Sequence, residues 1–334
     1  MQVGVSIVIC CYNSVLRLPE TLRYLSLQKT SKEIAWEIIV VNNASTDGTE
    51  IIAKTTWNQL AVTGVNFKVV DEPSPGLTNA RLKGVKEASY EYIIFCDDDN
   101  WLSENYVQLS HDILKGDSKI GAVGGKSVAV GETQLPTWFE EYKAGYTVGA
   151  QGEKNGDISE RRFIWGTGMV TRRSLFLYIN QSFPSFLIDR KGNELSAGGD
   201  TEYTIRLIFS GYTLYYDERL LVKHFIPSFR LTEEYRDRLY KGFRGTDYVL
   251  EPYFRQASVA LLSPLKKKYM LLKELIRYNV SRVKPVFGWN HKKEATEIFM
   301  KTGIQLEKMD DMYVKVRNIY NGLKKQDKKL LEQF

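Results

Sequence analysis

Short runs rich in Val and Ile recur along the first part of the chain about every thirty residues, separated by stretches of helical periodicity, and this rhythm constrains the fold most. Val5–Cys10, Trp36–Val41, Phe67–Val70 and Tyr92–Phe95 read as strands. Pro19–Gln28, Thr49–Asn58 and Leu77–Ala88 between them read as helices. Strands alternating with helices imply right-handed βαβ units, hence an α/β fold with a Rossmann-like, mostly parallel sheet covered by helices on both faces. Ligands bind such sheets beyond the carboxyl ends of the strands. Tyr12 and Asn13, Asn42 and Asn43, and the triplet Asp97, Asp98 and Asp99 all fall there. Neither a Gly-x-Gly-x-x-Gly fingerprint nor a P-loop follows the first strand.

Three consecutive carboxylates repel one another unless a cation sits among them. A hard divalent ion that takes one or two carboxylates and fills its shell with phosphate oxygens and water relieves that repulsion, which points to a metal-bridged diphosphate. An acidic turn capping the next helix is the other reading of the same residues.

A chain of 334 residues, 43% hydrophobic and 12% aromatic, can form one large domain with a smaller appendage. From Pro264 onward there are 17 Lys/Arg against 8 Asp/Glu, a net of +9, leaving 29 against 32 in residues 1–263. The basic excess is thus confined to the tail, and a catalytic domain without a basic face argues against nucleic acid as partner. No signal pattern or long apolar span is present, so a cytoplasmic chain is expected. Cys10, Cys11 and Cys96 lack metal-type spacing and read as reduced structural thiols.

Four segments in order, Val5–Asn13, Val41–Thr49, Gly76–Arg81 and the Asp triplet, together resemble family 2 glycosyltransferases of the GT-A fold, of the bacterial surface-polysaccharide type. The likeness extends over roughly the first 240 residues, which makes 1–240 the expected catalytic domain and 241–334 a helical, basic extension. It implies transfer of a sugar, with inversion, from a nucleoside diphosphate donor to a glycan or lipid-linked acceptor. It also places Cys11, Tyr12 and Gly168 at the nucleotide sugar, Asp200 of Gly198-Gly199-Asp200-Thr201-Glu202 at the general-base position, His224 near the metal and Arg230 facing phosphate.

Physical reasoning adds roles. Asn13, Asn42, Arg81 and Asp97 stand at strand ends able to meet a uridine or thymidine edge and ribose. Asp99 is the expected ligand of Mg²⁺ or Mn²⁺, with Asp98 or Asp97 turned to the ribose or to a metal-bound water. Duller roles stand beside several of these. Asn43 and Asp47 fit a turn and a helix cap, His224 a structural histidine, and Glu202 either a share of the base's role or a dipole-stabilising carboxylate. Trp138, Trp165 and Tyr146 fit either a sugar platform or the core. Three departures weaken the carry-over: Asn42 replaces an aspartate, Leu82 an asparagine and Gly199 a glutamate. The other function classes that fit are a nucleotide-sugar-binding regulator without turnover and a sugar-1-phosphate nucleotidyltransferase. The first conflicts with the intact acids and the second with Cys10-Cys11-Tyr12-Asn13 after the first strand.

In the tail, Leu265, Tyr269, Leu272, Ile276, Val280 and Val283 share one helical face, with lysines and arginines on the rest. Such a helix either lies in an anionic membrane surface, making the protein peripheral there, or packs on the catalytic domain. Lys324–Lys329 reads as a frayed end.

Overall fold

The computed structural model describes residues 2–187, 189, 195–263, 265, 266, 269, 272 and 311–330. The basic amphipathic stretch expected over Leu265–Lys284 lies largely outside them. The first half follows the βαβ rhythm: β1 (Gln2–Cys11), α1 (Leu18–Ser26), β2 (Trp36–Asn43), α2 (Thr49–Leu60), β3 (Asn66–Glu72), α3 (Leu77–Glu87) and β4 (Tyr90–Asp97). There follow β5 (Asn100–Leu102), α4 (Tyr106–Gly116), β6 (Ile120–Gly131), α5 (Phe139–Tyr142), β7 (Gly156–Asp157), β8 (Val170–Arg172), α6 (Arg173–Ser182), α7 (Gly199–Phe209), β9 (Thr213–Ile226), α8 (Glu233–Arg244), α9 (Asp247–Ala260) and α10 (Asp311–Leu330).

One nine-stranded sheet runs β3-β2-β1-β4-β8-β6-β9-β5, with β7 added on β9. The four strands read from the sequence pair parallel, and the sheet is mixed beyond β4, where β8 is antiparallel to both β4 and β6. The pleat sends successive side chains to opposite faces. Ile7, Ile9, Ile38, Val40, Ile94 and Cys96 therefore join Leu18, Leu22, Leu25, Ala53 and Trp57 on one face. Val8, Ile39, Val41, Ile93 and Phe95 join Ala80, Val85, Leu175, Ile179 and Ile205 on the other. Central strands covered on both faces read as continuous apolar runs, as here.

The helices after residue 240 belong to this packing. Val249, Tyr253 and Ala257 of α9 and Val316, Ile319 and Leu323 of α10 are buried in the same cluster as the α7 face. The expected domain boundary at residue 240 falls inside α8, and Lys324–Lys329 continues α10. Among the described residues no helix is long and apolar enough to cross a membrane.

Candidate active site

The acidic triplet forms the turn from β4 into β5. Strand register decides what it meets: Asn100 of β5 pairs with His224 of β9, and the Phe225 amide donates to the Asp99 carbonyl at 2.9 Å. Asp99 is thereby set against His224, its Oδ1 3.6 Å from Nε2. His224 Nδ1 donates to the Tyr146 carbonyl at 2.8 Å, a bond that orients the ring and turns Nε2 toward the carboxylate. Asp99 Oδ2 accepts from Arg230 Nη1 at 2.9 Å. The arginine expected at phosphate thus touches the expected metal ligand. Among the described residues no group of three or more His, Cys, Asp or Glu is arranged to hold an ion.

The neighbouring acids have arginines of their own. Arg17, just before α1, donates from Nε and Nη2 to Asp98 Oδ2 at 3.1 and 2.6 Å. Thr21 Oγ1 holds the Asp98 carbonyl at 2.7 Å. Arg81 on α3 is 8% exposed, lies over the Phe95 ring, and has an Nε with no hydrogen-bond partner among the described residues. Burial, with Asp98 and Asp99 beside it, pushes the Asp97 carboxyl up to about 6 against the pull of Arg81. Burial and Asp99 also raise Asp98, opposed by Arg17. Burial works the same way on Asp99, but His224, Arg230 and Arg17 outweigh it and hold that carboxyl well below the usual range.

The remaining nucleotide-side residues sort into open and occupied groups. Tyr12 is 54% exposed, whereas Cys11 is buried with its thiol raised by burial. Asn13 takes a left-handed φ of 50°, its amide donating to Ser45 Oγ and its Oδ1 accepting from the Thr46 amide at 2.8 Å. Asn42 Nδ2 donates to Asp71 Oδ1 at 2.9 Å, which leaves the Asn42 Oδ1 buried and unpartnered. Asn43 shapes the turn, as its duller reading holds, donating to the Glu72 and Ser74 carbonyls and accepting from the Gly76 amide. Asp47 holds the start of α2 through the Thr49 amide. At Gly166 a Cβ would collide with the Arg81 guanidinium, and at Gly168, φ 67°, with the Tyr106 hydroxyl. Gly168, expected at the nucleotide sugar, thus makes room for Tyr106, and Gly166 for Arg81.

Asp200 lies in the first turn of α7, opened by Gly198 at φ 135°. Its Oδ2 accepts from the Gly166 amide at 2.7 Å and its Oδ1 from the Thr201 amide at 2.7 Å. Each oxygen keeps accepting capacity, since a carboxylate has about four lone-pair sites. Glu202 has none to spare. It is 1% exposed and bound to Arg206 at 2.5 Å, to the Tyr253 hydroxyl, to the Phe186 amide and to Ser185. It pins the loop before α7 instead of facing a substrate. Asp189 packs against Gly199: both its oxygens accept from the Gly199 amide, and a Cβ at 199 would lie 2.6 Å from Oδ2.

Of the three aromatics weighed as sugar platforms, Tyr146 is buried and bonded to the Arg230 carbonyl, and Trp138 packs on that cluster under Arg236. Trp165 instead lines a cavity with Arg161. Sequence reasoning missed Arg17, Arg161 and Asp189. For Arg17 a signal existed, the need of the acidic triplet for cations; the others depend on contacts between distant segments.

The chain matches the sequence family described as glycosyl transferase family 2 over residues 6–178. It is similar to the poly-beta-1,6-N-acetyl-D-glucosamine synthase of Staphylococcus epidermidis, 36% identical over 125 residues, covering 36% of this chain and 28% of the relative. The synthase of that name from Staphylococcus aureus (strain COL) is 32% identical over 124 residues, with 36% and 28% covered. The matched stretch thus spans little more than a quarter of these relatives. Among solved structures, S. aureus TarS 1–349 superposes with a TM-score of 0.51 at 16% identity, covering 92% of this chain and 94% of that one. The same protein in complex with UDP-GlcNAc gives a TM-score of 0.50 at 15% identity with the same coverage. This likeness shows the GT-A fold.

Proposed function

Because the chain belongs to glycosyl transferase family 2, we propose that it moves a sugar from a uridine or thymidine diphosphate donor, with a divalent ion and with inversion, to a hydroxyl of a glycan or lipid-linked acceptor during synthesis of a bacterial surface polysaccharide. Family membership makes it a glycosyltransferase using a nucleotide sugar; the pyrimidine and the ion rest on the site, and the acceptor class on the relatives. The observation that carries this reading is His224, whose Nδ1 is committed to Tyr146 and whose Nε2 faces the Asp99 carboxylate.

Asp99 Oδ1 and His224 Nε2 fit Mn²⁺ or Mg²⁺ held by few protein groups together with diphosphate oxygens. An ion bound there supplies charge neutralisation to the departing diphosphate. The protein's own groups do the rest. Asn42 presents its free carbonyl oxygen to a pyrimidine N3–H, and Arg81, near both Asp97 and Asp200, brings positive charge between donor and base. Asp200 takes the proton from the acceptor hydroxyl as that oxygen forms its bond to the anomeric carbon and the bond to the diphosphate oxygen breaks. The amides of Gly166 and Thr201 hold the carboxylate in place for this step. The relatives, named as synthases of an N-acetylglucosamine polymer, favour a surface polysaccharide as the product.

A thermal-shift panel of nucleoside diphosphate sugars with and without Mn²⁺ tests this. At about a hundred times its dissociation constant a ligand stabilises by ~2.7 kcal/mol. UDP or dTDP sugars are expected to raise the melting temperature with the ion present. A stronger shift from ADP or GDP sugars, or the same shift without any ion, contradicts the reading.

A further inference from the structure

A cavity of about 590 Å³, whose lining includes Lys143, Arg161, Phe163, Trp165, Tyr240 and Phe243, is one residue along the chain from the Gly166 amide that Asp200 accepts from. Helix α8 supplies one wall through Tyr240 and Phe243, and the other two walls are segments that contact the site. In the segment around Lys143–Ala150, Tyr146 accepts from His224 at 2.8 Å, and Thr147 Oγ1 meets Thr167 Oγ1 at 2.7 Å. In the other, Trp165 leads directly into Gly166, whose amide donates to Asp200. Gln151 ties the walls together, its Oε1 accepting from the Trp165 amide at 2.8 Å.

Arg161 is the unusual group here. Its guanidinium sits 4.5 Å from the Phe163 ring centre and 4.7 Å from that of Trp165. Its Nε is buried without a partner, and one terminal nitrogen reaches only the Gln151 carbonyl, at 3.5 Å. Among the described residues no carboxylate pairs with it, and burial alone pulls its pKa down. Lys143, by contrast, is answered by Glu140. A half-buried cation without a counter-ion is costly unless a ligand supplies one. A guanidinium fork matches phosphate or carboxylate oxygens, and aromatic faces around it suit the apolar face of a ring.

Taking Asp200 as the base, we propose that this cavity is the acceptor subsite and that it selects a sugar carrying an anionic group, a phosphate or a carboxylate, which Arg161 binds while Phe163 and Trp165 flank the ring. The shared chemistry is an anionic sugar, whether free or part of a polymer or lipid-linked chain.

The test is calorimetry on the full chain with saturating UDP and Mn²⁺, titrating glucose, glucose 6-phosphate, glucuronate and inorganic phosphate. The wild type is expected to bind one or both anionic sugars at least about tenfold more tightly than glucose or inorganic phosphate, the scale of one charge-assisted contact. Arg161→Met should erase that margin and leave glucose and UDP binding unchanged; Arg161→Gln provides a second neutral variant if the first folds poorly, and Arg161→Lys should retain part of the margin. Equal binding of glucose and the anionic sugars by the wild type overturns the proposal. So does an undiminished margin in the neutral variants, or inorganic phosphate binding as tightly as either anionic sugar. UDP affinity in the same experiments reports on the donor reading separately, and repeating the sugar titrations without nucleotide reads the cavity alone.

Discussion

Asp97, Asp98 and Asp99 lie within reach of Arg81, Arg17 and Arg230, whereas Arg161 has two aromatic faces and, among the described residues, no acid. Two residues apart on α7 the contrast recurs: Glu202 is locked to Arg206, while Asp200 is held only by neutral donors, the amides of Gly166 and Thr201 and the Thr201 hydroxyl. A charge answered inside the protein holds structure and tunes its neighbours; a charge left open is available to a substrate. The sequence argument asked for one cation to relieve the acidic triplet and assigned that work to a metal. Three arginines share it, so under the proposed function an ion has only the narrower task of meeting the diphosphate.

The sharpest way to break this contrast is to neutralise the two α7 carboxylates in turn. Asp200→Asn is expected to slow transfer by ~10²- to 10⁴-fold with donor affinity unchanged, the usual cost of losing a general base. Glu202→Gln should do the reverse, losing about 3–5 kcal/mol in chemical denaturation because Arg206 is left buried and unpaired, while turnover per folded molecule is kept. A Glu202 variant that is stable but inactive moves the base to Glu202.

A smaller difference is expected between arginines. Arg230→Met removes a charged hydrogen bond from buried Asp99 and should cost about 1–3 kcal/mol. Arg161→Met removes no ion pair, so its stability should stay within about 0.5 kcal/mol of the wild type by the same denaturation. Equal losses would erase the distinction between answered and open charge.

Smaller still is the effect of Asp71→Val. Without the carboxylate that fixes its Nδ2, the Asn42 amide can turn, and preference for UDP over CDP should fall by roughly fivefold, about 1 kcal/mol, in competitive titration. An unchanged preference takes Asn42 out of base reading.

Strands β1, β2 and β4 were legible because each is buried on both faces and reads as a largely apolar run, and the partly exposed edge strand β3 because Phe67, Val69 and Val70 follow at the same interval. Strand β6 was not, since Gly121, Gly124 and Gly125 break its pattern. Their missing side chains make way for Tyr212, for Gln151 and Ile164, and for Leu220, contacts that arise only once distant segments meet. The triplet, His224 and Asp200 could be singled out as candidates because the proposed chemistry calls for those residue types at strand and helix ends. Their pairings could not, although Arg81 and Arg230 were themselves singled out for other roles. Arg17 lies 81 residues from Asp98, Arg230 lies 131 from Asp99, and an isolated arginine in a sequence reads as solvated surface. Glu202 was half-legible, its spacing of four from Arg206 being that of a helical ion pair, but Tyr253 and Ser185, which complete the cage, come from other elements.

Titrating UDP into the wild type, Asp99→Asn and His224→Ala by calorimetry, each with Mn²⁺ and with a chelator, tests the central claim most directly. Wild-type affinity should rise at least about tenfold with Mn²⁺, and both variants should lose most of that gain, as loss of a ligand does in metal sites. Tight UDP binding that ignores Mn²⁺ in the wild type, or a full Mn²⁺ gain in His224→Ala and Asp99→Asn alike, contradicts the account.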